Sequence, residues 1–278
     1  MAETLTFELK SVTDVWTGGV DQHCDRLHET GLLGSLRWWY EAVVRGLGGS
    51  ACDPTDDSPC RDKDHCAACE LFGCTGWSRK FRLQVVGTSG GLISSPLNKG
   101  VEFALRFVEL RHLCDEERWL LTKAVETAAK WGSVGGRTTR KPQARKGVGD
   151  DYGLVFLKSA PKSECNRDKA KEYLSGFPAD EGKAGYPDLR CFFFVQGFFL
   201  WREQMNALMV QEPFLRGERG AGGKPAVSKK VFSFQTDSGR IWGYAQNVEM
   251  RAKITDHLGS QLGAKAEIKT GEEVIGGL

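Results

Sequence analysis

The chain runs to 278 residues, 40% of them apolar and 27% charged, with a formal net charge of +2. That length and apolar content can bury a core as one large domain or two smaller ones. Its longest apolar run, Cys191 to Trp201, is broken by Gln196 and Gly197 and is far shorter than the roughly 20 residues of a spanning helix, which excludes a transmembrane segment; a charge so near balance cannot by itself announce a nucleic-acid partner.

In chain order, Leu5, Phe7 and Leu9 alternate with polar residues, the period of a half-buried strand, and lead to a turn at Trp16-Thr17-Gly18-Gly19. Leu32, Leu36, Tyr40, Val43 and Leu47 then fall at helical spacing, and Gly48-Gly49 stops the helix. Phe81, Leu83 and Val85 alternate again, as do Val101, Phe103, Leu105 and Phe107. Asp115, Glu116 and Glu117 open a second helix whose buried side is Leu121, Ala124, Val125 and Ala128, and a strand from Tyr152 to Leu157 follows.

Strand, helix, two strands, helix, strand is the order of a ferredoxin-like (RRM-like) domain, in which one antiparallel sheet carries both helices on one face. The expected fold is therefore α+β, with a first domain over residues 1–160 and a degraded second ferredoxin-like copy over 161–278. In that second half Phe192 to Phe199, Val231 to Phe234 and Ile241 to Val248 read as strands, and Lys169 to Leu174 and Met250 to Leu258 as short helices. The polar run from Lys158 to Tyr186 reads as the linker or a surface excursion.

A cysteine-rich insert, about residues 50–75, interrupts the first domain. Cys66-Ala67-Ala68-Cys69 can grip one ion with two thiolates from a single turn, and Cys52 and Cys60 can complete a tetrahedron, which makes zinc the expected structural cofactor. The proline-bearing polar loop between them, residues 53–59, has no core of its own and needs an ion to hold it. His65 or Cys74 could substitute as a ligand, and reduced surface cysteines or a disulfide pair are the plain alternative. Nine cysteines, an odd number, with no apolar leader in Met1-Ala2-Glu3-Thr4, point to a reducing cytoplasm.

Glycines 132, 135, 136, 147 and 149 are interleaved with Arg137, Arg140, Lys141, Arg145 and Lys146 and with no acidic residue, a loop over about 132–149 suited to the backbone of a single-stranded nucleic acid. A solvated loop without a partner is the alternative. On the first helix, Trp38, Glu41 and Arg45 fall opposite Leu36, so Trp38 is expected to face outward beside Arg37 and Arg45 as a base-stacking platform, or else to pack on a partner or the second domain. Glu41 is expected to pair with Arg37 and Arg45 along the helix. Arg79 and Lys80 precede the strand at Phe81 and add candidate phosphate contacts, and Arg216 to Lys230 is a weaker glycine-basic stretch. Catalytic signals are few: His23 and His28 lie near Asp21, Asp25 and Glu29, more often the pattern of a solvated loop than of acid–base chemistry, and no nucleophile elbow or H-E-x-x-H is present.

Taken together, Trp16-Thr17-Gly18-Gly19, the run from Glu29 to Glu41, Cys69 through Phe81, and Gly132 to Arg137 resemble subunit one of the Cmr complex, the type III-B CRISPR effector, in the RAMP superfamily. The resemblance is specific to about residue 157 and looser beyond, where Lys229-Lys230-Val231-Phe232 stands in place of the expected serine-proline-leucine stretch. It implies a non-catalytic RNA-binding subunit that contacts the 3′ end of the guide RNA and assists capture of target RNA beside other subunits of the complex, with RNA contact at Gly132, Gly135, Gly136 and Arg137. It also implies zinc at the C-x-x-C. A guide-RNA-processing endonuclease using His23 or His28, or a docking subunit without RNA contact, are the competing expectations.

Overall fold

The computed structural model describes residues 4–18, 23–52, 60–62, 64–138, 151–178, 187–218, 220 and 227–276. Arg140, Lys141, Arg145 and Lys146, with most of the basic loop, lie outside the described residues.

The first domain runs β1 (Thr4–Ser11), α1 (Glu29–Gly46), α2 (Ala67–Phe72), β2 (Phe81–Gly87), β3 (Glu102–Glu109), α3 (Asp115–Lys130) and β4 (Val155–Ser159). Its antiparallel sheet has the order β2-β3-β1-β4. Pairing of Phe7 with Leu105 and of Leu83 with Phe107 lines up one apolar face, and α1 and α3 cover it. Glu117 turns back onto the Cys114 N–H, 3.1 Å away, to open α3, as the acidic first turn predicts. The last strand is displaced from the expected span: Tyr152 makes only an isolated bridge to Asp14, and regular pairing with β1 begins at Val155.

The second domain repeats the arrangement with β5 (Phe192–Gln196), α5 (Arg202–Gln211), β6 (Val231–Phe234), β7 (Arg240–Tyr244), α6 (Val248–Leu262) and β8 (Ile268–Thr270), in the order β6-β7-β5-β8. A short α7 (Gly271–Gly276) closes the described chain. Helix α5 and strand β8 complete a full ferredoxin-like unit where the sequence suggests a degraded one. The polar run from Lys158 is more than a linker, since α4 (Arg167–Ser175) is capped by the Asn166 side chain and buries Ala170 and Leu174. Among the described residues no helix is long and apolar enough to cross a membrane.

Both faces of the second sheet are covered. Phe193, Val195, Val231 and Ile241 pack toward α5 and α6, while Phe192, Phe194, Phe232 and Trp242 join the core of the first domain. The layers are thus sheet, helices, sheet, helices, and α1 and α3 are clamped between two sheets. This explains why β5 to β7 read as continuous apolar runs rather than alternating ones. It also fixes α3 to its neighbour: the guanidinium of Arg240 donates to Ala129 O at 2.9 Å and Gly132 O at 2.8 Å, and Gln196 Nε2 donates to Lys130 O at 2.9 Å. These side chains supply the partners that the last carbonyls of a helix lack. Burial lowers the Arg240 pKa to about 10, against a smaller opposing pull from Asp237. Asp151 ties a second point, one carboxylate oxygen accepting from Gln235 N, Thr236 N and Thr236 Oγ1 at 2.7–2.9 Å. Arg240→Met should strand two buried carbonyls, each costing about 1–3 kcal/mol, and lower the midpoint of urea unfolding; an unchanged midpoint would refute the cap.

Candidate metal centre and nucleic-acid interface

The sulfurs of Cys52, Cys60, Cys66 and Cys69 all lie within 4.8 Å of one another. Cys52 Sγ stands 3.1 Å from Cys60 Sγ, 3.4 Å from Cys69 Sγ and 3.7 Å from Cys66 Sγ, too far for a disulfide and close to the roughly 3.8 Å edge of a tetrahedron with 2.3 Å metal–sulfur bonds. Cys66 and Cys69 are placed by α2, whose Ala67, Ala68 and Leu71 are fully buried, so this half of the insert is part of the main core. Residues 53–59 lie outside the described residues.

Several donors point at the sulfurs. The backbone N–H groups of Cys52 and Cys66 donate to Cys66 Sγ and Cys60 Sγ, each at 3.3 Å, and Arg37 Nη2 donates to Cys69 Sγ at 3.1 Å. Hydrogen bonds from Cys66 and Cys69 pull the Cys52 thiol down, while burial and the bond to Cys52 push Cys60 up to about 12 and the bonds to Cys52 and Cys66 raise Cys69. One thiolate held by its neighbours' protons is what four crowded cysteines do without a cation. A divalent ion would let all of them ionise, so the donor set fits a soft, tetrahedral metal.

The substitutes are otherwise engaged. His65 Nε2 meets Glu70 Oε2 at 2.6 Å and its Nδ1 meets Asp62 O at 2.6 Å, leaving no ring nitrogen for a metal. Cys74 is not among the four mutually close sulfurs, although its thiol hydrogen-bonds to Cys69 at the edge of the cluster.

Several expected RNA contacts sit inside this framework. Arg37 bonds Glu41 Oε1 at 2.8 Å and Gly73 O at 2.9 Å besides Cys69, which makes it a brace for the cysteine turn. Arg45 is 4% exposed, its guanidinium spent on Pro187 O, Ala51 O and Cys52 O. The expectation that Trp38, Glu41 and Arg45 face outward is corrected: the second domain covers that side of α1. Trp38 is half-buried, with its ring 5.7 Å from those of Phe192 and Tyr244, so it packs on the second domain while part of it stays exposed. Lys80 is held between Glu70 at 2.5 Å and Glu117 at 2.7 Å; burial pulls its pKa down, but the two carboxylates together outweigh that and leave it raised. Arg79 lies partly exposed against the Phe81 ring.

Two glycines of the basic loop are placed against tryptophan rings. A Cβ on Gly132 would fall 2.1 Å from the Trp39 ring and one on Gly136 2.4 Å from the Trp16 ring, so both let the loop close on tryptophan. Arg137, at a φ of 57°, lies over the same Trp16 ring at 4.7 Å. The loop thereby forms one wall of a cleft of about 400 Å³ between the domains, which Trp38, Phe232 and Trp242 close on the other side. Gly31, Gly34 and Ser35 of α1 border it. Sequence reading misses this cleft, although a glycine at 31 inside a helical pattern is a legible sign of close approach, a Cβ there falling 3.3 Å from Thr17. A larger cavity, about 770 Å³, borders α3 and β4, and several of its polar side chains are paired within the fold: Lys123 with Glu126, Gln196 with Lys130 O, Arg240 with two carbonyls.

Comparison with known proteins places the first domain. Residues 8–140 match the RAMP superfamily. The RAMP match thus spans the cysteine cluster and the start of the glycine loop. No curated protein sequence matches significantly. Among solved structures, the chain is similar to apo Cmr1 from Pyrococcus furiosus, with 13% identity, a TM-score of 0.51, and 97% of this chain and 98% of that one covered. It is similar also to a chain of the type III-B Cmr-beta complex bound to cognate target RNA, with 9% identity, a TM-score of 0.50, and 94% and 99% covered. At such identities the likeness is one of fold, and it extends over both domains.

Cys66→Ser should lower bound metal and the melting temperature, and Arg37→Ala, which leaves the ligands in place, should weaken metal affinity by about 10–100-fold. Elemental analysis with a chelator competition checks both, and a purified wild-type protein free of metal would overturn the assignment.

Proposed function

We propose that this protein is a non-catalytic, RNA-binding RAMP subunit of a type III-B CRISPR (Cmr) effector complex, working in the cytoplasm with a structural zinc at Cys52, Cys60, Cys66 and Cys69. In this reading it contacts the 3′ end of the guide RNA and assists capture of the target RNA beside other subunits. The observation that carries it is the interdomain cleft, where half-buried aromatic rings, a glycine-rich loop entering a basic run, and Arg137 converge. Such a pairing of stacking platforms with cationic backbone contacts suits single strands without demanding a sequence. The match to the RAMP superfamily and the two-domain likeness to Cmr structures support the same reading.

Of the residues singled out in the sequence, Gly132, Gly135, Gly136, Arg137, Arg79 and Trp38 stay in the proposed interface, together with Arg140, Lys141, Arg145 and Lys146. Arg45 falls outside it, and Arg37 and Lys80 are assigned to bracing the metal insert. The endonuclease alternative rests on His28, whose Nε2 lies 3.5 Å from Asp25 beside the cleft residue Thr17.

Arg137→Glu with Arg140→Glu should weaken binding of a labelled single-stranded RNA in anisotropy titrations and flatten the salt dependence by about 0.7 in log–log slope for each phosphate no longer neutralised. An unchanged slope removes the loop from the interface. Running the same samples on a denaturing gel should return intact RNA; cleavage that disappears in His28→Ala would establish the nuclease instead.

A further inference from the structure

Gly34 lies inside α1, a helix of 18 residues, where glycine costs stability relative to alanine. Packing does not require it: a Cβ built there meets nothing within 4 Å. It is also exposed and borders the interdomain cleft, one turn beyond Gly31. Of the α1 residues that border the cleft, Gly34 is the one whose missing side chain no packing in the free protein accounts for, since a Cβ on Gly31 would come within 3.3 Å of Thr17.

The rest of the cleft says what that is. Its far wall is aromatic, with Trp38 half-buried in front of Trp242 and Tyr244. Its near wall is glycine and hydroxyl, with Ser35 and Ser133 beside Gly34. Behind the lining, two polar atoms have no hydrogen-bond partner, Ser133 Oγ and Trp242 Nε1, each on a residue 3% exposed. Lys229 lies on the rim, and His28 gives the first turn of α1 no side-chain cap. A flat ring on the aromatic wall, a polar sugar-phosphate on the bare helix and positive charge at the mouth are the parts of a nucleotide. The volume, about 400 Å³, is that of a small-molecule pocket and holds one such unit rather than a duplex.

Building on the RNA-binding reading, we propose that the cleft captures a single unstacked nucleotide of the bound strand, its base against Trp38 and its backbone across Gly31 and Gly34. The test uses the full-length protein with Gly34→Ala and Gly34→Leu. Gly34→Ala should melt at or above the wild-type temperature, because a Cβ there meets nothing within 4 Å, and Gly34→Leu should stay folded by circular dichroism. Gly34→Leu should bind labelled oligoadenylate about tenfold more weakly, the loss of roughly one stacked base, with Gly34→Ala between it and wild type. Adenosine monophosphate should quench tryptophan fluorescence in wild type and not in Gly34→Leu. If wild type binds the oligonucleotide and both variants bind it equally well, the pocket is wrong while the RNA reading stands. If wild type binds neither probe, both fall.

Discussion

Helix α1 lies between two β-sheets, and most of the molecule's particulars follow from that. A helix with one sheet to cover needs one apolar stripe; with sheets on both sides it must satisfy every direction at once. From Trp39 to Leu47 each side chain is buried, including Glu41 and Arg45, which survive there because each has found partners. The charged residues of α1 consequently serve as struts, one toward the cysteine cluster and one toward the entry of the second domain.

The same sandwiching relocates the surface that an RRM-like fold would offer to RNA. The face of the second sheet that would be free in a lone domain, carrying Phe192, Phe232 and Trp242, is pressed on α1 and α3. What remains of it is the margin, where the sheet parts from the helix and the glycine loop folds over Trp16. Aromatic residues are therefore abundant at the proposed interface for two reasons, core packing inside and a reachable ring at the edge, and Trp38 stands at the boundary between them.

How legible each feature is depends on how local its cause is. The cysteine cluster can be read because two of its sulfurs sit on one turn and the other two lie shortly before them in sequence. The first domain can be read because its strands have one wet face and so alternate: Leu5, Phe7, Leu9. The outward side of α1 is misjudged because helical angle alone cannot report a second sheet arriving from more than a hundred residues away. Helix α5 escapes notice for a related reason, since it buries only Met205, Leu208 and Met209 and so carries a thin stripe. The glycines of the basic loop are legible as close-approach positions, but not what they approach; tryptophan rings answer that in the fold.

The capping of α3 by Arg240 and Gln196 joins the two domains in a way that outlasts mere contact. A helix whose terminal carbonyls are completed by another domain has no finished end until that domain is in place. The two halves look like separable modules in topology, yet the end of α3 in the first is completed only by the second, and the chain should melt in one step. A cut between β4 and β5 would yield a first half with an open-ended helix and a broad aromatic-facing surface, a fragment apt to aggregate rather than a minimal RNA-binding unit.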